Sequence, residues 1–393
     1  MFKPYFDFRD VFRAPRLALS GKKMGIQFLG LLVGYIGFMV LTYVAFLTSE
    51  MTFSEIWENF RFFPLGNFAF THWYSWVIFI IGCFFLLFFW MLASAAVGKI
   101  TYEQLKGDEF YSAKDSLKFL KKHGKTVILS PLSLAVFVVF LIICGVIVGL
   151  LGKIPYVGEL GLGLLYGIPI FVVAIFCVYV IFILVFSFLL TPAIVATTKE
   201  DIFEIIVQLF STIWAQPWRF FIYNGIILAC AKVGSFILGY FCFRGVQLVN
   251  WSCGIFMKDK LSDIFQKGLS YVTLPPWILD FFSNIFPRIN FRFHLPEIGW
   301  GNSLSWSKEI SAFLIGITLI LVIFGVISYA LATFSTGQTL TYIILRKKKD
   351  EENLLERKTE EEEQAEKLEE EEKEEEAKEK EEKTEEGKEA KAE

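Results

Sequence analysis

Six stretches of the chain are apolar almost without interruption, at 24–48, 73–98, 126–151, 162–191, 217–243 and 310–335, and segments with charges, Pro and Trp separate them. A hydrocarbon core is crossed by about 20 residues at a rise of about 1.5 Å each, so every stretch is long enough to span it. Lipid cannot satisfy backbone N–H and C=O groups, so each is expected to be a helix. The first stretch is too long for the apolar region of a secretion signal, and no small-residue cleavage site follows it. It is expected to be an uncleaved anchor. The fold class is all-α integral membrane: six transmembrane helices, short cytoplasmic interfacial amphipathic helices and a charged C-terminal tail.

Lys and Arg in the short connections set the expected orientation. Segment 1–23 carries Lys3, Arg9, Arg13, Arg16, Lys22 and Lys23, and the second connection carries Lys99, Lys106, Lys114, Lys118, Lys121, Lys122 and Lys125. Arg346, Lys347, Lys348 and Lys349 follow the sixth stretch. On the other side, 49–75 has only Arg61 and 152–161 only Lys153. The 244–309 loop holds seven basic residues but is long enough for the rule to lapse. Both termini are expected to be cytoplasmic. The chain then divides into a basic N-terminal segment (1–23), a membrane domain (24–346) with an outer loop (244–309), and an acidic low-complexity tail (347–393).

The inner connections share a pattern of short amphipathic elements, which settle at membrane interfaces. Before the first span, Val11, Phe12, Leu17 and Leu19 alternate with Arg13, Arg16 and Lys22. Before the third, 112–123 places Leu117, Phe119 and Leu120 among lysines. Before the fifth, Ile202, Phe203, Ile205, Ile206, Leu209, Phe210, Ile213 and Trp214 recur at helical spacing. Glu200, Glu204, Gln208, Ser211 and Thr212 are expected on its other face, with Thr198 as cap and Asp201 in the first turn. Pro131 and Pro217 each read as the first turn of the following span, where proline costs no hydrogen bond. The result is a weak threefold unit of interfacial helix, span, outer loop and span.

Charge is divided along the chain. Residues 350–393 hold 23 acidic and 9 basic residues, a net of −14, which leaves +11 on 1–349 within an overall −3. Five Glu-to-Lys pairs at i,i+4, among them Glu363 with Lys367 and Glu379 with Lys383, support a solvated helical tail. Almost no apolar residue follows Leu368, so the tail has nothing to pack as a core. The outer loop has Trp251, Trp277, Trp300 and Trp306, the run Leu274-Pro275-Pro276-Trp277, and Phe281, Phe282, Phe286, Phe291 and Phe293. It reads either as a segment lying on the outer leaflet or as a docking surface.

Chemistry inside the membrane is sparse. Lys232 is the one full charge near the middle of an expected span, at a cost on the order of 3 kcal/mol. It is the candidate intramembrane functional residue, either a structural hydrogen-bonding group, with Glu159 as a partner, or part of a substrate path. Gly30 and Gly34 form G-x-x-x-G with Gly37 close by, a candidate helix-packing face. Pro169 is a candidate kink. Five cysteines (Cys83, Cys144, Cys177, Cys230, Cys242) fall in spans and Cys253 outside them, with no C-x-x-C. His72, His123 and His294 lie in separate connections, so no metal site is indicated. No phosphate-loop, nucleophile-elbow, zinc-protease or dinucleotide signature is present, and no basic aromatic platform for nucleic acid. No catalytic residue, cofactor or metal is expected.

Three stretches carry a resemblance. They are Phe12-Arg13-Ala14-Pro15-Arg16-Leu17-Ala18-Leu19-Ser20, the segment from Glu200-Asp201-Ile202-Phe203-Glu204 through Phe210-Ser211 to Gln216-Pro217-Trp218-Arg219, and Thr336-Gly337-Gln338-Thr339-Leu340-Thr341-Tyr342 on to Leu345-Arg346-Lys347-Lys348-Lys349-Asp350. Together they resemble a group of bacterial six-span inner-membrane proteins of no established function. The resemblance covers 1–355 in outline and implies six spans in a bacterial inner membrane, with no activity to transfer.

The function expected is a non-enzymatic membrane protein that organises or supports a membrane complex. Its surfaces for this are the cytoplasmic helices, the acidic tail and the aromatic outer loop. The partners expected are the lipid bilayer and a protein met through the tail or that loop. The alternative is a permease or channel for a small solute, with its site near Lys232 and the Pro169 kink.

Overall fold

The computed structural model describes residues 4–64, 70–272 and 305–356. These residues form helices and turns, with no strand among them. Two short helices, α1 (Phe8–Val11) and α2 (Ala14–Ala18), precede α3 (Gly21–Leu47). Then follow α4 (Phe53–Phe60), α5 (Trp73–Lys106), α6 (Ala113–Leu151), α7 (Val157–Leu165), a π turn (Tyr166–Ile170) and α8 (Phe171–Thr198). The last elements are α9 (Ile202–Ala215), α10 (Pro217–Met257), α11 (Asp259–Ser270), α12 (Trp306–Asp350) and a 3-10 turn (Leu354–Glu356). Six of them, α3, α5, α6, α8, α10 and α12, are long and apolar enough to cross a membrane.

Several boundaries differ from the sequence expectation, each for a local reason. The 112–123 segment is not a separate element. Ser112 caps α6 by accepting from the Asp115 amide at 3.2 Å, and the helix runs on unbroken to Leu151. Pro131 therefore lies inside α6, not in its first turn, while Pro217 does open α10. The fifth span does not end at Phe243. α10 continues to Met257, which takes Trp251 and Cys253 into a helix and not a loop. After it α11 packs back on α12, with Lys308 3.2 Å from Asp263. The outer aromatic residues Trp277, Trp300, Phe281, Phe282, Phe286, Phe291 and Phe293, His294, and the tail from 357 onward lie outside the described residues.

The helix α9 is amphipathic, but not along the expected line. Ile205, Gln208, Leu209, Thr212 and Ile213 are buried, while Phe203 and Trp214 are exposed. Gln208 and Thr212 thus sit on the packed face, because Gln208 has bonding partners there. Thr198 does not cap this helix: it is the last residue of α8 and donates to the Ile194 carbonyl at 2.9 Å. Asp201 takes the cap position.

Burial is concentrated at the end of the bundle where α3 and α10 begin and α5, α8 and α12 finish. There Ser335 to Leu345 of α12, Ala93 to Glu103 of α5 and Leu190 to Thr197 of α8 are buried on every side. Small residues let these helices approach. A Cβ on Gly98 would stand 3.0 Å from Thr339 Oγ1 and 3.1 Å from Ala196 Cβ, so the three backbones meet at this point. Towards the other end the bundle opens: Val136, Val139, Ile143, Val146 and Ile147 of α6 and Val172, Ile175 and Val178 of α8 are all exposed. α8 meets α10 through Phe182 and Phe186 against Phe220 and Phe221, with centroid separations of 5.2–6.1 Å.

Candidate functional site: a polar junction inside the bundle

The buried end gathers amides and hydroxyls that apolar helices carry singly. Gln27 of α3 donates to Ser335 of α12 at 2.7 Å and to Ser94 of α5 at 3.2 Å. Ser335 in turn donates to Ser94 at 3.0 Å. Nearby, Thr101, seven residues after Ser94, pairs with Thr336 at 3.3 Å. On the far side of α12, Gln338 Nε2 donates to Asn224 Oδ1 of α10 at 2.5 Å, and Asn224 Nδ2 donates to the Phe220 carbonyl at 2.9 Å. The network therefore crosses from α3 through α5 and α12 to α10. Low dielectric strengthens each bond and raises the cost of leaving any group unpaired.

Below this layer the network turns ionic. Lys23 is 1% exposed and donates to the Leu17 carbonyl and to Gln104 Oε1, both at 2.9 Å. Lys99 and Glu103 form a buried pair at 2.5 Å, with the Lys99 ammonium 5.0 Å from the Tyr102 ring centroid. Tyr342 donates to Gln208, and Gln208 donates to Glu200, which anchors α9 to α12. Arg346 closes the end with Asp350 at 2.9 Å and Glu352 at 3.1 Å. The last described turn is fixed by Tyr102, which donates to the Leu354 carbonyl at 2.7 Å.

The N-terminal segment is tied to the same end. Asp10 is 1% exposed and accepts through Oδ2 from the Tyr5 and Phe6 amides, each at 2.8 Å. Arg13 forms an ion pair with the other oxygen at 3.2 Å. Burial pushes the Asp10 carboxyl above its ordinary range despite the amides and Arg13, which pull the other way. Tyr329 of α12 donates to the Pro15 carbonyl at 3.2 Å, which holds α2 against the sixth span.

The residues singled out from sequence fall in three different places. Gly30 and Gly34 face α5, where a Cβ on Gly30 would stand 2.5 Å from Ala93 Cβ and one on Gly34 3.1 Å from Phe89 Cβ. Pro169 lies in the π turn between α7 and α8, where the helix widens around a residue with no N–H to donate. Lys232 is exposed on α10 and does not line the junction. Glu159 is exposed on α7. The six cysteines are free, and the described residues hold no cluster of three or more groups placed to bind a metal.

Sequence reasoning missed Gln27, Ser94, Asn224 and Gln338 as a connected set. The available signal was one amide in each of two apolar stretches, Gln27 and Asn224, and the run Thr333 to Thr341, where hydroxyls and Gln338 replace aliphatic residues from the end of the sixth stretch onward. Compared with known proteins, the chain matches no family model, no curated protein and no solved structure.

Proposed function

We propose that this chain is a multi-pass protein without catalytic chemistry that organises or supports a membrane assembly, and that a partner helix docks on the outer half of α6. The observation that carries the reading is an open small-residue face. Gly145 and Gly149 stand four apart on α6, and a Cβ on either would meet nothing within 4 Å. Glycine inside a helix costs about 1 kcal/mol relative to alanine. Inside this bundle that cost is offset by close helix approach, at Gly30 and Gly34 against α5 and at Gly98 against α8 and α12. A helix from another chain, or from a second copy, would make the same use of Gly145 and Gly149.

The polar junction supports the same reading. Its amides and hydroxyls are bonded mainly to one another, an arrangement suited to fixing helices in one packing. The end where the described residues begin and finish also carries the lysine- and arginine-rich segments, which favours that side as cytoplasmic. A bacterial inner membrane is the setting we favour, from the resemblance of the junction motifs. The acidic tail and the outer aromatic loop would add contacts outside the bilayer.

Purification of the tagged protein in native-lipid particles tests the proposal. A stoichiometric partner, or a defined homo-oligomer, that is lost on Gly145→Ile with Gly149→Ile supports it. A chain that stays monomeric and unaccompanied in both forms overturns it.

A further inference from the structure

We propose that the junction of α5, α8 and α12 is a binding site for a single hydroxyl oxygen. Between these helices lies a cavity of about 10 Å³, the size that holds one water-sized group. Trp90, Ser94, Ser335 and Gln338 supply its polar lining, and Leu189 and Phe334 are half-buried apolar residues at its edge. Two polar atoms there have no hydrogen-bond partner among the described residues: Trp90 Nε1 and Gln338 Oε1. Gln338 is 2% exposed. It lies eight residues before Arg346, about 12 Å along the helix from that charged end. Bulk water is not at hand there to satisfy either atom.

The orientation of the Gln338 amide is fixed by its neighbour. Asn224 commits Nδ2 to the Phe220 carbonyl, so it offers Gln338 only its oxygen. Gln338 must answer with Nε2, which leaves Oε1 for the cavity. Ser94 Oγ accepts from Gln27 and lies 3.0 Å from Ser335 Oγ, whose single proton also has the Leu331 carbonyl at 2.9 Å. The site therefore presents a donor, Trp90 N–H, and an acceptor, Gln338 Oε1, beside the Ser94 hydroxyl. That set matches an oxygen that both accepts and donates. It does not match a metal cation, because the indole offers only a donor and no carboxylate lines the cavity.

Such an oxygen joins the Gln27–Ser335–Ser94 group to the Gln338–Asn224 pair and makes one continuous network across four spans. It comes either from an internal water or from the terminal hydroxyl of an amphiphile whose chain passes between Leu189 and Phe334.

The test is indole N–H spectroscopy of 15N-tryptophan-labelled protein in lipid nanodiscs, with the Trp90 signal assigned by Trp90→Phe. Cross-relaxation from Trp90 Nε1–H to a long-lived water supports the site with water as occupant. Cross-relaxation to a lipid hydroxyl that vanishes in deuterated lipid supports it with an amphiphile. Either signal is expected to be lost in Gln338→Met and weakened in Ser94→Ala, and the second variant serves if the first does not fold. If Trp90→Phe does not fold, the signal altered by Ser94→Ala identifies Trp90. An indole with no signal to water or lipid, unmoved by Ser94→Ala, overturns the proposal.

Discussion

Gln27 and Ser335 lie 308 positions apart in sequence and are joined by a 2.7 Å hydrogen bond that fastens the first span to the sixth. Replacing Gln27 with leucine removes that bond and the one to Ser94 while leaving two hydroxyls buried. The expected loss is about 1–3 kcal/mol, the net worth of two hydrogen bonds, since Ser94 and Ser335 remain bonded to each other. A double-mutant cycle of Gln27→Leu with Ser335→Ala, read by thermal unfolding in detergent, is expected to give a coupling of about 0.6–1.7 kcal/mol, the range for hydrogen bonds between spans. Additive effects would mean that the pair does not hold the helices.

Two glycine pairs with the same spacing are expected to behave oppositely. Gly30→Leu forces a side chain into Ala93 and Phe89, so about 1–3 kcal/mol of destabilisation is expected. Gly145→Ala meets open space and is expected to leave the isolated chain as stable or gain up to about 1 kcal/mol from helix propensity. Thermal midpoints of the two variants in the same detergent check both signs at once.

The contrast shows what was legible in the sequence. Gly30 and Gly145 both sit in apolar stretches with a second glycine four residues on, and nothing local distinguishes them. Which one packs internally depends on α5 lying beside α3, a tertiary choice. The six spans were legible because a long apolar run admits one solution in lipid. The ends of the helices were not. Segment 112–123 is polar enough to read as an interfacial element, yet its helix does not stop there: Ser112 caps it, no Pro follows before Pro131, and Gly124 is buried within the helix, where a Cβ would stand 3.2 Å from Leu92 Cδ2. Pro131 itself is accommodated inside α6, which continues through it to Leu151. The polar junction was invisible for a further reason. Gln27, Ser94, Asn224 and Gln338 are ordinary in isolation and become a site only when four helices bring them together.

At the other end of the bundle Arg61 joins two connections. Its guanidinium donates to the Ser270 hydroxyl at 2.7 Å and to the Ser270 carbonyl, and stands 5.3 Å from the Tyr271 ring centroid. Its own carbonyl accepts from Tyr43. Arg61→Ala is expected to cost about 1.5–3 kcal/mol, the range for hydrogen bonds to charged groups. The effect should be local: faster amide exchange in α11 (Asp259–Ser270), with the polar junction unchanged. Uniform loosening of both ends would contradict this.

Asp10 gives the N-terminal segment a pH dependence of definite sign. Its carboxyl is raised above the ordinary 3.8 by burial. A raised folded-state value means that folding favours the protonated form, so its contribution is full below 3.8 and falls as pH rises through the shifted value. Asp10→Asn keeps an acceptor for the Tyr5 and Phe6 amides and cannot ionise. The stability of wild type minus that of the variant, measured by thermal unfolding from pH 3 upward, is expected to decrease with pH and then level. An increase would mean that Arg13 and the two amides outweigh burial.

The central claim is that α6 presents a docking face at Gly145 and Gly149, and a photo-crosslinking residue at Val146 tests it most directly. The same residue placed at Val233 on α10, next to Lys232, serves as the comparison surface. The account predicts one discrete protein adduct of fixed mass from position 146, lost when Gly145 and Gly149 are both replaced by leucine and unaffected by Lys232→Met. Adducts to lipid alone at 146, or a protein adduct that survives the double glycine replacement, would contradict it.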